Sequence, residues 1–154
     1  MSAPGELALA EAVRHLGVEE YPPASNRQPF GVWFGTNAVP WCAIFCSYAF
    51  HAAGVELCAG FDGAGVRPGK GCAWVPTIRA WLESRGWWRD PHETPEPGDL
   101  VLFDWGLDGK LDHIGIVERS LPPQIVTIEG NLRNAVGRIT RDTAHVAGYG
   151  RIGG

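Results

Sequence analysis

Cys42 follows Pro40-Trp41 at the head of an almost wholly apolar stretch, Trp41 to Ala53. Downstream come Asp112-His113-Ile114-Gly115-Ile116-Val117-Glu118 and then Ile128-Glu129-Gly130-Asn131. A thiol in the first turn of a helix sits among free backbone N–H groups at the positive end of the helix dipole, where an anion is favoured. Such a place supplies thiolate, the nucleophilic form of cysteine, and the Cys42 N–H is placed to donate to a developing oxyanion. A histidine is the usual partner, taking the thiol proton and giving it to a leaving amine. A carboxylate or amide that accepts from the imidazole completes the set by fixing the ring. Cys42, His113 and either Glu129 or Asn131, in this order, point to amide-bond chemistry.

Taken singly, each residue has a plainer reading. A cysteine in an apolar helix commonly behaves as a small hydrophobe, and Cys46, one turn further on, fits that description. His113 lies in a strand-like run whose alternation puts His113, Gly115 and Val117 on one face and Ile114 and Ile116 on the other. Gly115 beside the histidine leaves room for a neighbouring group. Glu129 and Asn131 are two apart, so a regular strand turns both to one face.

The elements that must position these residues follow from periodicity. Leu7, Ala10, Val13 and Leu16 recur at helical spacing over Glu6–Leu16, and Gly17 stops the helix. Glu19 to Val39 reads as a polar, Pro-containing loop. Trp41 to Ala53 is apolar nearly all round, as expected of a central buried helix. Val55 to Ala73 reads as irregular and Val75 to Gly86 as a third helix. Strands follow at 99–105, 112–118, 124–131, 137–141 and 146–152, with Asp108-Gly109 as a hairpin turn signal. Helices first and antiparallel strands afterwards imply an α+β fold.

The 154 residues suit one domain, 1–154, able to bury a core without metal or disulfide. Net charge is −4 with no long run of either sign, which gives no footprint for nucleic acid or an anionic membrane. No apolar run is long enough to span a bilayer. Met1 to Glu11 lack a basic segment followed by an apolar one, so no signal peptide is visible. The four cysteines include no Cys-x-x-Cys pair, so no zinc site is expected. Cys58 and Cys72 flank a Gly-rich stretch and could bridge in an oxidising compartment, reduced thiols being the commoner state.

At the residues quoted above the chain resembles the CHAP domain family, the cysteine, histidine-dependent amidohydrolases and peptidases of bacteria and their phages. Pro40-Trp41-Cys42-Ala43 resembles the family's nucleophile motif, and Pro97-Gly98-Asp99-Leu100-Val101-Leu102-Phe103 the strand before its histidine. The segments around His113 and Glu129 resemble the histidine strand and the strand of the acid and amide. The likeness spans Pro40 to Asn131. It implies a papain-like fold, with helices packed on a mostly antiparallel sheet of about five or six strands, and hydrolysis of an amide bond in peptidoglycan. It also implies a Cys42–His113–Glu129 triad, with Asn131 as a further active-site residue. Asn37 is a candidate second oxyanion donor, and Trp41 and Trp105 are the preferred groove-lining aromatics. Some relatives bind calcium through an aspartate-rich loop before the cysteine. Here 20–39 contains no Asp, so no calcium and no other metal or cofactor is expected. Asp104, Asp108 and Asp112 read as a polar hairpin.

The expected partner is a peptidoglycan peptide or muropeptide, met by a monomer at the bacterial cell wall, by phage release or another export route. Endopeptidase and amidase (sugar–peptide) cleavage fit the triad equally. A silent CHAP-like binding module, or a thiol peptidase acting on another substrate, are the rival readings.

Overall fold

A computed structural model describes residues 3–154. The helices are α1 (Ala3–Arg14), α2 (Pro29–Phe34), α3 (Cys42–Ala52) and α4 (Val75–Ser84). A small hairpin, β1 (Val66–Arg67) and β2 (Gly71–Cys72), lies between α3 and α4. The remaining strands are β3 (Trp88–Arg89), β4 (Leu100–Phe103), β5 (His113–Leu121), β6 (Gln124–Leu132), β7 (Ala135–Asp142) and β8 (Val146–Gly150). They form one six-stranded sheet, in order β3-β8-β4-β5-β6-β7, with every neighbouring pair antiparallel. The expected α+β architecture is therefore present.

α3 is the hub. Ile44, Phe45, Cys46, Ala49 and Phe50 are all fully buried, and the helix packs against α1, α2, β5 and β6. It comes down directly on strand backbone at Gly130, where an added Cβ would lie 2.5 Å from the Phe45 Cβ. Ser47 is the polar exception on this helix. Its hydroxyl donates to the Cys72 carbonyl at 2.8 Å and accepts from the Cys72 N–H at 2.9 Å, so its burial leaves nothing unsatisfied and pins β2 to the helix. Cys58 and Cys72 are buried free thiols.

Alternation along the strands divides the apolar residues. Leu100, Leu102, Ile114, Ile116 and Ile128 join the helices in the main core. Val101, Phe103, Val117 and Ile125 form a smaller core with Val146 and Tyr149. β4 is held at its start by Asp99, which is buried and accepts two hydrogen bonds from Arg151, at 3.0 and 2.8 Å, and one from the Glu96 N–H. Gly98 before it has φ +92° and touches α1: a Cβ there would lie 2.3 Å from the Gly5 carbonyl carbon. The Pro97-Gly98-Asp99 sequence is thus a joint between the first helix and the sheet.

Four short elements were not expected. α2 lies inside the presumed loop 19–39. Gln28 caps it by accepting from the Gly31 N–H at 2.8 Å, Pro29 fills its first turn, and Gly35 ends it at φ +95°. Six residues are too few for helical periodicity to register. The two-residue strands β1, β2 and β3 escape for the same reason. Asp99→Ala should lower unfolding free energy by about 1–3 kcal/mol, because it removes both hydrogen bonds to Arg151 and leaves that guanidinium only the more exposed Glu96 carboxylate at 3.4 Å. A urea unfolding series on the two proteins measures this.

Candidate active site

Cys42 is the first residue of α3, and no side chain caps that helix: Trp41 at the cap position makes no side-chain capping bond. The Phe45 N–H donates to the Trp41 carbonyl at 2.9 Å. The first-turn N–H groups around the thiol are therefore not taken up by a capping side chain. Cys42 keeps 8% of its surface exposed, whereas Cys46, a turn deeper, keeps 0%. Burial pushes the Cys46 thiol well up, with the negative charges of Cys42 and Glu129 adding to it. The two thiols on one helix are thus separated into a reachable one and an inert one.

His113 opens β5 and is hydrogen-bonded on both sides. Its Nε2 is 2.8 Å from Glu129 Oε1. An ionised carboxylate only accepts, so Nε2 carries the donated proton and the other ring nitrogen is left for the Cys42 thiol, its second hydrogen-bond partner. Burial by itself would push the imidazole down. The hydrogen bonds and negative charge of Cys42 and Glu129 outweigh it and lift the group from 6.5 to about 9. Glu129 is fully buried. Burial pushes this carboxyl up, but hydrogen bonds from Arg141, His113 and Thr127 outweigh it and hold the group at about 2.

Gly115 is what makes room for this carboxylate. A Cβ at that position would lie 2.7 Å from the Glu129 Cγ. Alternation along β5 thus has a direct consequence: the residue two after the histidine must lack a side chain because the acid from β6 passes over it.

The other residues singled out from sequence fall into place differently. Asn131 has φ +59°, and pairing between β6 and β7 shifts between Glu129 and Leu132. The alternation that would turn Glu129 and Asn131 to one face is broken, and of the two it is Glu129 that meets the imidazole. Trp41 is a correction. It is 0% exposed and donates its indole N–H to Glu20 Oε2 at 2.8 Å, so it is a core residue rather than a groove wall. Asn37 spends its side-chain oxygen on the Gln28 and Ala38 N–H groups, at 3.2 and 2.9 Å, holding the loop before α3.

Trp105 is 40% exposed and stacks near His113 at 6.0 Å between ring centroids. Trp74, 55% exposed, is the wall shared by two surface depressions. One includes Pro40, just before the thiol; the other includes Asp112, just before the histidine. Asp104 accepts from the Asp108 and Gly109 N–H groups and Asp112 from the Trp105 N–H, so the expected polar hairpin is there.

Two residues of the site gave no sequence signal. Thr127 donates to Glu129 Oε2 at 2.5 Å. Arg141 donates to both carboxylate oxygens, from Nε at 2.6 Å and from Nη2 at 2.7 Å. The register places Gly137 opposite Glu129 and Arg141 opposite Ile125. Arg141 therefore reaches along the strand face to the carboxylate.

Residues 34–131, well over half of the chain, match the CHAP domain family, and the chain belongs to it. No curated protein matches the sequence. Among solved structures it is similar to the peptidoglycan hydrolase RipB of Mycobacterium tuberculosis, with 18% identity and TM-score 0.57 over 97% of this chain and 64% of that one. It is similar to the P60 domain of antigen MAP1272c from M. avium paratuberculosis, with 17% identity and TM-score 0.53 over 97% and 93% of the two chains. Ly7917 with the hydrolysing product of MDP aligns with 18% identity and TM-score 0.54, over 97% of this chain and 62% of that one. The chain thus spans under two thirds of RipB and Ly7917. These likenesses define the fold as papain-like.

An NMR titration of His113 should give a midpoint near 9. Glu129→Gln, which removes the charge that favours the imidazolium, should move it down towards the ordinary value. Stability contributed by the raised histidine is present below 6.5 and lost as pH rises through about 9; that from Glu129 is present above 4.5 and lost as pH falls through about 2. Gly115→Ala should cost about 1–3 kcal/mol of stability, because the Glu129 stem must move, and should lower the His113 midpoint as the carboxylate is displaced. A His113 midpoint unchanged in Gly115→Ala would mean the carboxylate had not moved.

Proposed function

We propose that this chain is a thiol hydrolase that cuts an amide bond of bacterial peptidoglycan. The observation that carries the proposal is His113 held between Cys42 and a buried, ionised Glu129 in a CHAP-domain chain. The Cys42 sulfur attacks the amide carbonyl, and the oxyanion forms beside the uncapped N–H groups of α3. His113, charged below about 9, gives its proton to the leaving amine, leaving a thioester on Cys42. Once the sulfur is acylated its negative charge is gone, which relaxes the pull on the imidazole proton. Neutral His113 then takes a proton from water, and hydroxide adds to the thioester. Collapse releases the acid and restores the thiol–imidazole pair. Glu129 accepts from Nε2 throughout and keeps the ring from turning.

Cell-wall substrate is supported by the CHAP family match and by the RipB and Ly7917 likenesses, one described as a peptidoglycan hydrolase and the other holding a product of MDP. Exposed Trp74, beside Pro40 and Asp112, and exposed Trp105, stacked near His113, suit contact with a muropeptide. The enzyme would act as a monomer at the bacterial wall, reached by phage release or another export route.

Purified protein should release soluble fragments from sacculi, and Cys42→Ala should abolish release. Equal activity in the two proteins sinks the mechanism. Mass analysis of the new ends separates endopeptidase from amidase cleavage, and turnover of protein but not of sacculi would favour the thiol-peptidase rival. Trp74→Ala should raise KM several-fold with little change in kcat, as loss of an aromatic contact of about 1 kcal/mol predicts. Steady-state kinetics on a defined muropeptide read this out.

A further inference from the structure

Glu129 accepts four hydrogen bonds, and two come from one side chain. Oε1 accepts from His113 and from Arg141 Nη2; Oε2 accepts from Thr127 and from Arg141 Nε. Each oxygen is thus held by one donor of the guanidinium fork and one other group. A planar fork on both oxygens fixes the plane of a carboxylate as well as its place, which an ammonium could not do.

The guanidinium is itself immobilised. Its central carbon lies 5.2 Å from the Phe103 ring centroid and 4.8 Å from that of Trp105. Those two rings stack on each other at 4.6 Å and flank His113 at 5.9 and 6.0 Å. The same aromatic pair therefore borders both the imidazole and the cation that holds its acid. Cation–aromatic contact and ion pair together leave Arg141 little freedom.

Charge supplies the second argument. The titratable and charged groups facing Glu129 are His113 from β5, Arg141 from β7 and Cys46 from α3, with Cys42 on the far side of the imidazole. His113 must lose its proton and regain it in each turnover. Without Arg141, every loss would leave a carboxylate buried with no cation beside it, which is strongly unfavourable. With Arg141 the carboxylate is paired in both halves of the cycle.

We propose that Arg141 is a positioning residue for the reaction: its fork sets the Glu129 carboxylate plane, so that Oε1 aims at His113 Nε2 and the opposite ring nitrogen faces Cys42. Its fixed charge also lets the imidazole proton come and go without stranding a buried anion. This rests on Cys42 and His113 acting as nucleophile and base.

The test is the pH dependence of Cys42 alkylation by iodoacetamide, followed by intact mass and peptide mapping, which needs no knowledge of the substrate. In Arg141→Met the acid-side midpoint should rise by roughly one pH unit or more, since Glu129 is no longer held ionised. The rate at neutral pH should fall about tenfold or more, as for loss of other outer groups that orient a reactive one. Arg141→Lys keeps the cation and loses the fork, so its midpoint should stay near wild type while its plateau rate falls. If Arg141→Met does not fold, Arg141→Lys decides: a lowered plateau supports the proposal and a wild-type profile overturns it. Variants that melt earlier yet give wild-type profiles would make Arg141 structural only, and overturn the proposal. A wild-type Cys42 that labels no faster than glutathione removes the catalytic reading itself, and the role of Arg141 with it; that result is seen in the wild-type arm alone.

Discussion

A carboxylate with no exposed surface has to be met by donors on every side, and Glu129 imposes that condition on three strands at once. β5 must bring His113 to one oxygen and then offer no side chain two residues later, which is why Gly115 is where it is. β6 must supply Thr127 from the same face. β7 must lie in the register that lets Arg141, opposite Ile125, reach along the face to the carboxylate. Slip any of these pairings by one residue and the side chains turn to the other face, leaving an unpaired buried charge. The register of this half of the sheet and the chemistry of the site are therefore one requirement.

The opposite wall is set by packing. α3 is buried from Cys42 to Phe50 apart from partly exposed Tyr48, and the place of its N-terminus is fixed from two directions. Trp41 is anchored by the buried Glu20 carboxylate, which also accepts from the Asn26 N–H and so ties the loop to the helix head. Farther along, Phe45 sits on Gly130, one residue after the buried acid. The residue that begins the helix and the strand that carries the acid are thus in contact through Trp41, Phe45 and Gly130, and the thiol is held where the imidazole can reach it. The polar groups that this burial encloses, Ser47, Glu20 and the Trp41 indole N–H, each have a partner.

Much of this was legible in the chain. The helix from Cys42, the strand from His113, the strand of Glu129 and the need for space at Gly115 all follow from local rules: caps, the periods of 3.6 and 2, and the conformational cost of a side chain. The CHAP resemblance carried by those residues agrees with the family match. What went astray has equally local causes. The short helix at Pro29–Phe34 has too few turns to leave a periodic trace. Trp41 was assigned to a groove because it adjoins the thiol, but adjacent helix positions point about 100° apart, and its indole found a buried carboxylate 21 residues earlier in the chain. Asn131 was paired with Glu129 by alternation, and the left-handed turn at Asn131 ended the alternation first.

By itself the sequence determined the elements and the ordered set of reactive types, because those depend on spacing along one strand or one helix. It also singled out Cys42 over Cys46, since position in a helix is a local property. Only the tertiary structure decided which acid meets the imidazole, that Arg141 and Thr127 hold that acid, and that Trp74 rather than Trp41 faces solvent beside the site. Those outcomes depend on register between strands and on what lies across a core. Such relations join residues far apart in the chain, and no local pattern of side chains specifies them.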